Sequence, residues 1–192
     1  MTTKVSIRRA KPDDVIDLSK LLRHGRDEQA EDIYYPGIAL NQAKQINHVL
    51  QVIDKGFVVI AEAREKGKPA ELVGAIGMSI IRDEWSDEWL MNNEWFYVLP
   101  DWRETDVSLA MIKMVEQFAD ENGDPATGKG LPVIIGMMTG RDVMLKDELM
   151  SQLGYQYGGG NFVRAPKDVV QQEEGSEAGD PAVAGGGKQT SG

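Results

Sequence analysis

The stretch that most constrains this chain runs over residues 93–122. Asn93-Glu94-Trp95-Phe96-Tyr97-Val98 leads directly into Leu99-Pro100-Asp101-Trp102-Arg103-Glu104-Thr105-Asp106, and an apolar-periodic run begins at Val107. Aromatic density predicts a strand, Pro100-Asp101 a short turn, and the spacing of Leu109, Met111, Ile112 and Phe118 a long amphipathic helix. Such a junction leaves backbone N–H groups unpaired at the helix start, where an anion can sit.

The rest of the chain supplies partners for this unit. Val5 and Ile7 alternate with polar neighbours in a first strand ending near Arg9. Pro12-Asp13-Asp14 opens a helix with Pro early and carboxylates in the first turn. Its buried face is Val15, Ile16, Leu18, Leu21 and Leu22, and Gly25 is expected to end it. Residues 26–40 read as a loop around Pro36-Gly37. Asn41 caps a second helix with Ala43, Ile46, Val49, Leu50 and Ile53 on its apolar side, closed by Gly56. Residues 57–63 are β-branched and strand-like, Lys66-Gly67-Lys68-Pro69 is a hairpin turn, and residues 72–81 form the partner strand. In that strand Gly74 and Gly77 mark bulges or close backbone approach. An acidic, aromatic connection, Asp83-Glu84-Trp85-Ser86-Asp87-Glu88-Trp89, then leads to the strand at Asn93. After the long helix come Asn122-Gly123 as its stop, a loop over 124–130, a buried strand over 132–137, a helix over 141–153 closed by Gly154, and a short hairpin.

Composition matters mainly for what it excludes. There is no Cys and only His24 and His48, so thiolate nucleophiles, disulfides and zinc–thiolate sites are out and no metal site is expected. The first residues carry no apolar h-region and no run is long enough to span a bilayer, so the expectation is a soluble cytoplasmic protein with no membrane contact. The net charge is −10, of which residues 167–192, with two Lys against five carboxylates, hold −3 and the rest −7. An acidic body disfavours nucleic acid and favours an amine or cationic acceptor. The Glu-, Gly- and Ala-rich composition of residues 167–192 predicts a disordered tail, leaving one domain over 1–166.

The element order β-α-α-β-β-β-α-β-α-β-β, with Phe96-Tyr97-Val98, Pro100 and Arg103 ahead of the long helix and Leu153-Gly154-Tyr155 after the last one, resembles the GCN5-related N-acetyltransferase (GNAT) family over residues 4–165. The resemblance implies an α/β (α+β) acyl-CoA N-acyltransferase fold: a central mixed, mostly antiparallel sheet with helices on both faces. It implies acetyl-CoA as cosubstrate and transfer of its acetyl group to an amine. In the family an Arg or Gln, two free positions, a Gly, one free position and a Gly or Ala form the turn that holds the coenzyme pyrophosphate. The matching window is Arg103-Glu104-Thr105-Asp106-Val107-Ser108, so the coenzyme-binding set is Phe96, Tyr97, Val98, Arg103, Glu104, Thr105, Asp106, Val107 and Ser108.

Two departures stand out. Asp106 occupies the position of the first Gly, with Glu104 nearby. Two unit charges ~5 Å apart at an effective dielectric of ~20 interact by about 3 kcal/mol, enough to weaken diphosphate binding unless the side chain points away. The same Asp and Thr can equally satisfy helix-start N–H groups with no ligand present. Met150 replaces the Tyr that serves many members as general acid, and it cannot donate a proton. Glu94 is the candidate general base. The acceptor-side loop carries Asp27, Glu28, Glu31, Asp32, Tyr34 and Tyr35, with Tyr34 and Tyr35 as substrate-contact candidates; Asp83, Glu84, Asp87 and Glu88 precede the central strand. Trp95 is read as core and His48 as a boundary residue. The competing function is a non-catalytic protein of this fold, with a homo-oligomeric or other protein partner, as for acetyltransferase-like proteins encoded by bacteriophages, where it would be virion-associated.

Overall fold

The computed structural model describes residues 3–31, 40–124, 127–136, 150–157 and 161–164. Its frame is one seven-stranded sheet in the order β1-β2-β3-β4-β5-β7-β6. The strands are β1 (Lys4–Arg9), β2 (Phe57–Arg64), β3 (Glu71–Arg82), β4 (Trp89–Val98), β5 (Val133–Gly136), β6 (Gln156–Tyr157) and β7 (Asn161–Arg164). Every pairing is antiparallel except β4 with β5, which run parallel. The helices described in full are α1 (Val15–Glu31), α2 (Gln42–Lys55) and α3 (Val107–Glu121).

The two faces of the sheet are covered differently. Val59, Ile76, Met78, Met91, Val133 and Ile135 pack with Met111, Ile112 and Val115 of α3 in one core. Val58, Ile60, Ala75 and Tyr97 pack with Leu18, Leu21, Val49, Val52 and Ile53 of α1 and α2 in the other. Period-two alternation along β2 and β3 sends neighbours to opposite cores, so these central strands are apolar on both sides. Met111, Ile112 and Val115 lose all solvent contact, each contributing about 1.5–3 kcal/mol by burial.

Local signals place the elements as expected in most cases. Asn41 Oδ1 accepts from Lys44 N at 3.0 Å and caps α2, while Gly67 takes φ +85° in the β2–β3 hairpin. Gly154 takes φ +81° just after the helical residues 150–152; residues 141–149 of the helix expected there lie outside the described residues, as do Tyr34, Tyr35 and residues 165–192.

Two boundaries differ. The central strand begins at Trp89, not at Asn93, because Trp89 to Asn92 pair with β3 from Arg82 to Ser79. The other is α1, which does not stop at Gly25 but continues to Glu31. Gly25 lies against the Tyr97 ring, and a Cβ there would sit 2.7 Å from Tyr97 Cδ2. The glycine provides close helix–strand approach rather than termination. No helix among the described residues is long and apolar enough to cross a membrane.

Candidate functional site

The site grows from an irregularity in β4. Gly77 pairs with Trp95, but the next residue of β3, Met78, pairs with Asn93. Glu94 is therefore the extra residue of a β-bulge, a device that re-aims side chains and bends the strand. On the other side of β4 the parallel ladder to β5 comprises Met91 with Val133 and Asn92 with Ile134. Beyond it the Asn93 side chain takes over: its Nδ2 donates to Gly136 O at 3.0 Å and its Oδ1 accepts from Gly136 N at 2.7 Å. The bulge thus coincides with the point where β4 leaves β5. Trp95 lies over the missing Cβ of Gly77, which its indole ring fills.

Glu94 is held on the α2 side of the sheet. Ser79 Oγ donates to Glu94 Oε1 at 2.5 Å, and His48 Nε2 of α2 lies 3.5 Å from Glu94 Oε2. The His48 ring meets Trp95 edge-on, with centroids 5.6 Å apart. The Glu94 side chain stays 30% exposed. A carboxylate with a fixed hydroxyl donor, a neighbouring imidazole and an open side can take a proton from a group arriving through solvent.

At the C-terminal end of β4, Leu99 N donates to Val73 O and Pro100–Trp102 form a single 3-10 turn. The first main-chain bond that closes α3 runs from Ala110 N to Asp106 O, so the N–H groups of Ser108 and Leu109 point out of the helix end. Thr105 Oγ1 accepts from Val107 N at 3.4 Å and donates to Trp102 O at 2.6 Å. The Asp106 side chain, in contrast to the capping role open to it in the sequence, makes no cap bond to the helix. Glu104 and Asp106 are exposed, while Val107 is buried and anchors the helix start. The backbone of this turn suits a diphosphate; its two carboxylates oppose one.

Arg103 faces the other way. Its Nε donates to Val98 O at 2.9 Å, and its Nη1 and Nη2 donate to Glu28 Oε1 and Oε2 at 2.7 and 2.5 Å. The Tyr97 hydroxyl donates to Glu28 Oε2 at 3.1 Å, and the guanidinium lies 5.5 Å from the Tyr97 ring centroid. Burial, followed by the bond to the Glu28 carboxylate, pushes the Tyr97 phenol up to about 12. Hydrogen bonding to Glu28 likewise raises Arg103.

The nine residues anticipated for the coenzyme fall into two groups. Arg103 to Ser108 form the turn and helix start. In the strand, Phe96 and Val98 pack toward α3 and Tyr97 toward α1 and α2. Glu94 sits at the bulge, apart from the turn in sequence and on the α2 side. Met150 is a fully buried core residue. Glu28, read in the sequence as one acidic residue of an acceptor-side loop, belongs to α1 and pairs with Arg103. Asn93, Ser79 and the pairing of His48 carry no sequence signal of their own; Gly77, read with Gly74 as a mark of a bulge or close backbone approach, lies at the register shift and opposite Trp95.

No family model matches the sequence, and no curated protein matches it. Solved structures do match in shape. A predicted acetyltransferase from Clostridium acetobutylicum with acetyl-CoA aligns with a TM-score of 0.57 at 12% identity, over 81% of this chain and 92% of that one. A GNAT family acetyltransferase from Brucella melitensis in complex with acetyl-CoA gives 0.53 at 14% identity, over 84% and 88%. An aminoglycoside acetyltransferase from an uncultured soil metagenomic sample gives 0.54 at 15% identity, over 81% and 93%. At these identities the likeness speaks for architecture: the chain has the acyl-CoA N-acyltransferase fold of the GNAT acetyltransferases.

Proposed function

We propose that this protein is an N-acetyltransferase that moves an acetyl group from acetyl-CoA to a primary amine. The observation that carries the reading is the combination of two features on one strand, the Glu94 bulge and the departure of β4 from β5 after Asn92, with the turn that opens α3 following the end of that strand. Acetyl-CoA supplies an activated thioester carbonyl. Structural neighbours with that cosubstrate bound, and one that is an aminoglycoside acetyltransferase, support the choice of donor and of an amine acceptor.

In this reading the outward N–H groups of Ser108 and Leu109 bind the diphosphate, and Glu94 accepts a proton from the acceptor ammonium, directly or through one water. The amine nitrogen bonds to the carbonyl carbon and gives up its second proton to solvent, the carbon–sulfur bond breaks, and the thiolate takes its proton from solvent, since Met150 offers none. The acidic body, net −10 for the whole chain, draws a cationic acceptor toward it. In this reading residues 1–166 are the acetyltransferase domain. Tyr34 and Tyr35 remain candidate acceptor contacts.

Calorimetric titration with acetyl-CoA tests the reading. Saturable binding, followed by thiol release on adding a polyamine or an aminoglycoside, is the expected result. A flat titration at millimolar ligand rejects it and leaves a non-catalytic protein of this fold. Glu94→Gln should slow thiol release by about 10²-fold or more with binding preserved.

A further inference from the structure

We propose that Glu28 is an internal competitor for the diphosphate, latching Arg103 of the turn to α1 until an incoming anion displaces it. The inference rests on the coenzyme reading above and adds its regulation. Because Gly25 allows α1 to pass close over Tyr97, the helix runs on far enough to deliver Glu28 to the turn. The carboxylate takes both outer nitrogens of the guanidinium, at 2.7 and 2.5 Å, and also accepts from the Tyr97 hydroxyl.

A bidentate fork of this kind is the geometry Arg uses for phosphate oxygens as well as for carboxylates. Glu28 and a diphosphate are therefore rivals for one set of donors. With Arg103 neutralised, the exposed carboxylates of Asp101, Glu104 and Asp106 are left to dominate the turn. The pair is accessible enough to exchange, its side chains being 39% and 24% exposed for Arg103 and Glu28. Arg103 also keeps its Nε bond to Val98 O, which involves neither outer nitrogen. It can stay anchored to β4 while its outer fork changes partner.

The test is titration of the full chain with inorganic pyrophosphate and, separately, with coenzyme A, for the native protein, Glu28→Gln and Tyr97→Phe. Glu28→Gln should bind both ligands about tenfold more tightly, and Tyr97→Phe, which keeps the ion pair, should gain less. If Glu28→Gln binds pyrophosphate no more tightly than the native chain, or more weakly, Glu28 organises the turn instead of blocking it and the latch is rejected. Coenzyme A bound equally by native and variant chains rejects the latch while the coenzyme reading stands. Tighter pyrophosphate binding by Glu28→Gln with no coenzyme A binding by any chain keeps the latch and rejects the coenzyme reading. Should Glu28→Gln fail to fold, judged by its far-UV circular dichroism, Glu28→Asp takes its place: the shorter side chain breaks the bidentate fork, and the same gain is expected.

Discussion

Asn93 and Gly136 exchange two hydrogen bonds, at 3.0 and 2.7 Å, through the Asn93 carboxamide and the Gly136 main chain. A side-chain amide here replaces a backbone amide at the step where the bulge at Glu94 carries β4 out of register. The replacement lets the two strands part without leaving Gly136 unpaired on that side. Asn93→Ala removes both partners at once, and leaving a partly buried N–H and C=O unsatisfied costs about 2 kcal/mol. Urea unfolding should show that loss with an unchanged m-value. A loss under ~0.5 kcal/mol, the size of an ordinary surface substitution, would mean that water replaces the amide without penalty.

Gly25→Ala offers a test in which two rules predict opposite signs. In an ordinary helix interior, Gly to Ala gains about 1 kcal/mol. Here the new Cβ would meet Tyr97 Cδ2 at 2.7 Å and Cγ at 2.9 Å, and the ring is held by its hydroxyl bond to Glu28. Overpacking of this kind costs about 1–3 kcal/mol, so the variant should melt below the native chain. Introduced into a Tyr97→Ala background, the same substitution should stabilise. A stabilising effect in both backgrounds would show that the ring yields freely.

That glycine also shows where sequence reasoning ran short. Gly25 after an apolar-periodic run has the pattern of a helix stop, and nothing local reveals the aromatic ring that arrives from Tyr97, far along the chain. The misplaced stop in turn hid Glu28, which appeared to be a loop residue. Elements defined by local chemistry were legible: the Asn41 cap, the Gly67 hairpin, the Pro100 turn and the buried stripe of α3. The partners of Glu94 were not, because Ser79 and His48 meet it only through sheet register and helix packing. Asp106 was legible as a departure from the glycine of the turn, but its failure to cap α3 depends on geometry.

Asp14 provides a pH-dependent handle on the fold, away from the site. Its carboxylate accepts from Arg8 Nη1 and Nη2 at 2.8 Å each and from Lys11 N at 2.7 Å. The Arg8 bonds, more than the Lys11 bond, hold it below the ordinary carboxylate range. A depressed folded value means that the native state binds the proton less readily than the unfolded chain. The stabilisation is therefore complete above the unfolded value of about 3.9 and is lost as pH falls through the lower folded value. Asp14→Asn should cost about 1 kcal/mol at pH 7, and the gap between variant and native chain should close toward pH ~2. A gap of constant size across that range would assign the cost to packing instead of charge.

Asp106→Gly addresses the turn itself. Asp106 has φ −70° and its side chain makes no cap bond to α3, so the backbone does not require glycine there and the helix loses little by the change. What the substitution removes is charge. At ~5 Å and an effective dielectric of ~20, one carboxylate opposes one phosphate charge by about 3 kcal/mol; exposure of the side chain and salt reduce this to a part of that figure. Acetyl-CoA affinity should therefore rise about tenfold or more in Asp106→Gly at low ionic strength, and Asp106→Asn, which keeps the shape, should give most of the gain. Raising the salt should shrink the difference between native and variant chains. If the native protein already binds at micromolar concentration and neither variant improves on it, the carboxylate points away from the diphosphate and the objection it raises to coenzyme binding disappears.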